Sequence, residues 1–137
     1  MAYVDGKLGE TIQELMDESN IEYDNGDYIK SIDLLIEAWD KLPDDKVQYD
    51  ESYLIIWGIL DIAIKIGNID IMNQWVDKIF IADPGRGDTG EREMWAGRVA
   101  YESNDMDKAK MYFEIANQKS KGRCFGDNDK KYKKLLL

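Results

Sequence analysis

At 137 residues, 44% hydrophobic and 34% charged, the chain has the size and balance of one well-solvated globular domain. Its formal charge of −10 is unevenly spread: residues 1–45 carry 13 acids and 3 bases, whereas residues 120–137 carry 6 bases and 2 acids. An acidic body repels phosphate backbones, which argues against nucleic-acid binding and favours a basic protein partner, and a single cysteine, Cys124, excludes an internal disulfide.

The first ten residues lack a basic stretch followed by an apolar core, so no secretory leader is read there. No apolar run approaches the roughly 18 residues that span a bilayer. The longest, Tyr53 to Ile66, is interrupted by Gly58, Asp61 and Lys65. The expectation is a cytoplasmic protein with no membrane contact.

Leu8, Ile12, Leu15 and Met16 recur at the three- and four-residue steps of one helix face. Asn25-Gly26 then supplies the residues a tight interhelical turn needs, and Asp27 is placed to cap the second helix. Ile29, Ile32, Leu35, Ile36 and Trp39 form the stripe of that helix, with Ala38 as a close-contact position, and Leu42-Pro43 ends it. After a polar connector, Asp50 or Ser52 is the candidate cap of a third helix. Its residues Tyr53, Ile56, Trp57, Leu60, Ile64 and Ile66 leave few polar positions, which predicts a central helix buried on nearly all sides.

Gly67-Asn68 marks the next turn, and Ile71, Met72, Trp75, Val76, Ile79 and Phe80 predict one helix closed by Asp83-Pro84. The stretch 85–90 reads as the most flexible part of the chain, and its Arg-Gly-Asp tripeptide has no use in an intracellular protein. Asp88 with Glu91 has the spacing of an N-terminal capping pattern. Met94, Trp95, Gly97, Arg98, Ala100 and Tyr101 mark a fifth helix. Asp105 caps a sixth, which packs through Ala109, Tyr112, Phe113 and Ala116. Residues 119–125 read as a basic link. Beyond it, Tyr132, Leu135 and Leu136 share one face of a short helix at about 128–137, the usual cover for the apolar end of a stack.

The turn-plus-helix pattern repeats. Gly26 to Pro43 and Gly67 to Pro84 are both seventeen residues apart, and a weaker copy starts at Asn104-Asp105. Recurrence of the same helix-pair pattern predicts an all-α superhelical repeat architecture. The units are expected at about residues 10–43, 50–84 and 88–120 of a single domain spanning 1–137.

The pattern resembles the tetratricopeptide repeat family, whose signature pairs a small residue and an aromatic on the first helix with Ala-x-x-x-Phe on the second. The third unit has Gly97 and Tyr101, then Ala109, Phe113 and Ala116. The second has Ala63, Met72, Val76 and Pro84; the first has Ser19, Tyr23, Ser31, Leu35, Ala38 and Pro43. The turns are 41 and 37 residues apart, longer than the family's period of about 34. The resemblance implies a right-handed superhelix of about three degenerate repeats with a capping helix. Gly87-Asp88-Thr89-Gly90-Glu91-Arg92-Glu93, Lys119-Ser120-Lys121-Gly122-Arg123-Cys124-Phe125 and Lys131-Tyr132 also resemble small bacterial members of that family encoded beside polymorphic toxins, a group thought to act as immunity proteins.

Chemistry is thinly represented. The chain has no histidine, so the commonest general base and transition-metal ligand is missing, and no Cys-His nucleophile can form. No phosphate loop and no dinucleotide fingerprint occur. Asp24-Asn25-Gly26-Asp27 and Asp127-Asn128-Asp129 lack calcium-loop ligand spacing, and turn and capping duty explains both. The expectation is a non-enzyme with no cofactor, no metal and no catalytic residues.

Binding remains. In stacked helix pairs the first helices line a concave surface that repeat proteins use for partners. Here that places Tyr23 and Asp24 from the first unit, Trp57 and Asp61 from the second, and Arg98 and Tyr101 from the third on one partner-binding face. Aromatics flanked by carboxylates suit a basic protein surface, such as a basic toxin domain with nuclease activity. The alternative is an adaptor or chaperone-type scaffold reading a peptide segment. Arg98 reads as the lone cation of that face, which disfavours a clamp for acidic peptide ends. A monomer is the expected state.

Overall fold

The computed structural model describes residues 3–82 and 87–137, and every regular element among them is helical. The expected Asp83-Pro84 helix end and the Gly85-Arg86 part of the flexible stretch lie outside the described residues. Seven α-helices are described: α1 (Gly6–Asp24), α2 (Tyr28–Lys41), α3 (Asp50–Ile66), α4 (Ile69–Trp75), α5 (Glu91–Glu102), α6 (Met106–Ser120) and α7 (Lys130–Lys133). Each of the first five packs on the next in sequence, α3 also reaches α5, and α6 meets the 3₁₀ turn Lys134–Leu136.

The first turn forms as its residues dictate. Asp27 accepts a hydrogen bond from the Lys30 amide at 3.1 Å, satisfying one of the four unpaired donors at the start of α2. Asp105 does the same for Lys108 at 3.2 Å. Asp27→Ala is expected to lower stability by about 1 kcal/mol, read as a lower urea midpoint with an unchanged slope.

Between α1 and α2, Ser19 and Ser31 are both buried, and each hydroxyl donates to the other's carbonyl at 2.8 Å. Two small side chains that satisfy their own hydroxyls let the backbones approach closely. Gly97 does this for the α5–α6 pair. A Cβ on it would stand 2.5 Å from Phe113 Cε1, so only glycine lets that ring lie on the helix.

The expected central helix is present. In α3, Tyr53, Ile55, Ile56, Ile59, Leu60, Ile62 and Ala63 are all buried. They belong to the larger of two hydrophobic clusters, which runs from Ile12 to Val99. The smaller joins Met94, Ala100, Ala109, Phe113, Ala116 and Tyr132. Helix α5 faces both, with Trp95 and Val99 in one and Met94 and Ala100 in the other. It is as enclosed as α3, which its modest apolar content did not suggest. The enclosure includes two charges. Arg92 donates to the carbonyls of Phe80 and Ala82 at 2.9 and 2.7 Å, and Glu93 pairs with Lys119 at 3.2 Å.

Several expectations are corrected. The fourth helix is α-helical only to Trp75 and continues as a tighter 3₁₀ segment over Val76–Phe80. Three residues per turn align Val76 with Ile79, and Ile79 is fully buried. Neither Asp50 nor Ser52 caps α3 by side chain: the Ser52 hydroxyl instead donates to the Tyr49 carbonyl at 2.7 Å. Asp88 does not cap α5. Gly90 occupies the N-cap with φ +84°, where a Cβ would meet the Ala116 carbonyl at 2.8 Å, and Thr89 Oγ1 accepts from the Glu91 amide. Ile29, placed in the α2 core stripe by its spacing, is 56% exposed.

The C-terminal segment forms as 3₁₀ turns flanking α7 rather than as the one expected helix. Tyr132 is buried, and Leu135 and Leu136 pack on the smaller cluster, while Lys130, Lys131, Lys133 and Lys134 are exposed.

Candidate functional site

Two adjoining clefts lie along the helices that open each pair. The larger, about 900 Å³, runs between α3, α5 and residues 119–129; the smaller, about 350 Å³, lies between α1, α2 and α3. Trp57 and Asp61, one turn apart on α3, line both. An i, i+4 pair on a helix projects to the same side, so the ridge between the clefts carries an indole and a carboxylate together.

Trp57 is 46% exposed, in a helix whose other apolar residues are mostly enclosed. Its ring meets Trp95 edge to face, with centroids 6.4 Å apart, and the Arg98 guanidinium lies over Trp95 at 4.7 Å. That contact occupies one side of the Trp57 ring and leaves nearly half of the residue exposed. Asp61 has no cation within ion-pairing distance among the described residues. The cleft walls desolvate its carboxyl and raise its pKa, and Arg98 and then Lys65 act against that rise.

The six residues expected on the concave face are not equivalent. Tyr23 lines the smaller cleft, where its hydroxyl accepts from Lys65 Nζ at 2.9 Å and its ring meets Tyr28 edge to face at 5.2 Å. That hydrogen bond raises the Lys65 pKa, and the electrostatic influence of Tyr23 and then of Tyr28 adds to the effect. Arg98 lines the larger cleft but is tied to both carboxylate oxygens of Asp129 at 3.2 Å. Asp24 sits exposed at the end of α1 and lines neither cleft. Tyr101 also lines neither. Tyr132 stacks edge-on against it at 5.0 Å, and Lys131 Nζ lies 5.4 Å above its ring.

The C-terminal segment thus closes over α5. Tyr132 donates to Glu102 at 2.9 Å, and burial first, then that bond, raises its pKa well above the ordinary tyrosine value. The phenol stays protonated and bonded throughout the physiological range.

Arg98 is not the lone cation of this face. Lys119, Lys121 and Arg123, in the stretch read as a basic link, also line the larger cleft. The positive charge of residues 120–137 was the available signal. What sequence could not give is that the chain folds back to bring it beside α3. Cys124 is half-buried on the same wall, with its amide bonded to Ser120 Oγ at 2.9 Å. Among the described residues, no three Cys, Asp or Glu side chains converge as metal ligands, and no helix is long and apolar enough to cross a membrane.

The arrangement sets an exposed indole and a carboxylate on one ridge, beside a cleft whose lining carries both cations and carboxylates. Comparison with protein-family models, curated proteins and solved structures finds no match to this chain.

Proposed function

We propose that this protein is a non-catalytic binding module, a right-handed superhelix of three degenerate tetratricopeptide-like pairs, that serves in the bacterial cytoplasm as an immunity protein. As a monomer it binds and neutralises a cognate toxin, a basic domain such as a nuclease, along the clefts that meet at Trp57. The observation that carries this reading is the half-exposed Trp57 beside the unpaired Asp61. An oriented aromatic next to an unneutralised carboxylate is what an interface hot spot against a basic surface requires. The acidic N-terminal third adds long-range attraction that speeds capture. The order of helix pairs and the resemblance to immunity proteins point the same way. Nucleic acid and membranes have no part in this reading.

The test is affinity capture of the tagged protein from its own cells at low and high salt. One stoichiometric basic partner, toxic when expressed alone and rescued by co-expression, is the expected result. Capture insensitive to salt would remove the electrostatic part.

Asp61 makes the pH dependence specific. A raised carboxylate pKa means that the folded free protein favours the protonated form, so this group's contribution to stability is present below the ordinary value of 3.8 and lost as pH rises through the folded value. A bound cation favours the carboxylate. Partner affinity is therefore expected to fall as pH is lowered through that raised value. Asp61→Asn should weaken binding at pH 7 and flatten the profile without lowering stability, as measured by calorimetric titration between pH 4 and 7.

A second reading is favoured by Lys119, Lys121 and Arg123 on the larger cleft: an adaptor or chaperone-type scaffold that binds a peptide segment with acidic residues at that end. Many sub-stoichiometric partners sharing a peptide motif would select it.

A further inference from the structure

Away from the clefts at Trp57, the α1–α2 and α3–α4 turns border an open crevice of about 680 Å³. Ile29, Ile66 and Ile69 supply its apolar surface, and Asp27 and Asp70 are the charged side chains on its lining. Ile29 is 56% exposed and Ile69 is 43% exposed. Neither isoleucine serves the helix that carries it: a β-branched residue loses rotamer freedom there, and at this exposure it recovers little from burial. Single exposed aliphatics need no explanation, but two converging on one crevice, with the half-buried Ile66 between them, form a patch.

We propose that this crevice docks a segment of a partner protein that inserts an aliphatic side chain between Ile29 and Ile69 and presents lysine or arginine to Asp27 and Asp70. Charge complementarity carries the choice of occupant. No cation lines the crevice, and the positive ends of two helices offset only part of the two carboxylates. The chain's own lysine-rich segment is a poorer occupant, because Tyr132 is buried in the smaller cluster and Leu135 and Leu136 pack on it, which holds the segment against α5 and α6 and leaves only Leu137 as an exposed aliphatic. This inference does not depend on the partner proposed for the Trp57 clefts.

The probe is a blocked hexapeptide in which two lysines flank a Leu-Ile pair on each side, titrated into ¹⁵N-labelled protein. Amide shifts are expected at Gly26, Ile29, Gly67 and Ile69. Affinity should fall about tenfold or more in an Ile29→Ser/Ile69→Ser double variant, as buried aliphatic surface is lost, and should weaken in high salt. Four outcomes would overturn the proposal: no shifts at millimolar peptide, equal shifts with a glutamate-flanked peptide, shifts centred on Trp57 and Arg98, or the same shifts on concentrating the protein alone, which would identify a second copy as the occupant.

Discussion

Phe113→Ala is expected to destabilise the protein by about 3–5 kcal/mol, the range for removing a fully buried phenylalanine. The ring has no exposure, lies on Gly97, and stands 5.7 Å from Phe125 and 5.3 Å from Tyr132. It therefore joins α5, α6 and the C-terminal cap. The hole could not close by collapse, because Gly97 has no side chain to move into it. Since small domains are stable by only about 5–15 kcal/mol, the variant should unfold at a much lower urea concentration. Amides of residues 127–136 should lose hydrogen-exchange protection first. A loss below about 1 kcal/mol would mean that the smaller cluster contributes little to the fold.

Trp57→Ala is expected to weaken partner binding by about 2–4 kcal/mol, the loss typical of a hot-spot tryptophan. Its effect on folding should be smaller, because almost half of the residue is exposed and its main intramolecular contact is one edge-to-face pair worth about 0.5–1.5 kcal/mol. That split distinguishes an interface residue from a core residue. Calorimetric titration against the captured partner and urea denaturation of the free protein measure the two sides. Retained affinity in Trp57→Ala, with weakening by substitutions on the outer faces of α2 and α6, would move the interface off the clefts.

Much of the fold was legible because it is local. The caps at Asp27 and Asp105 depend on neighbours three residues away, and the burial of α3 follows from an apolar surface that wraps the helix. The exceptions depend on partners far along the chain. Gly90 displaces Asp88 as the α5 cap because the Ala116 carbonyl leaves no room for a side chain. Helix α5 is enclosed because Arg92 reaches back to Phe80 and Ala82, which no periodicity reveals. The site divides the same way. Trp57 and Asp61 share a helix face that spacing alone defines. The pairing of Arg98 with Asp129 and the covering of Tyr101 by Tyr132 depend on a fold-back across about thirty residues.

The position of α5 between two unequal clusters has a consequence for how wide the larger cleft stands. Its far wall, residues 119–129 with Tyr132, is secured by the cluster of six buried residues, whereas α3 and the Trp95 face of α5 belong to the larger one. Local opening begins where the fewest apolar contacts must be broken. The wall is therefore expected to detach before the floor unfolds, and under the binding role proposed above the free energy of that detachment would set how bulky a partner segment the cleft admits and how quickly it lets one go.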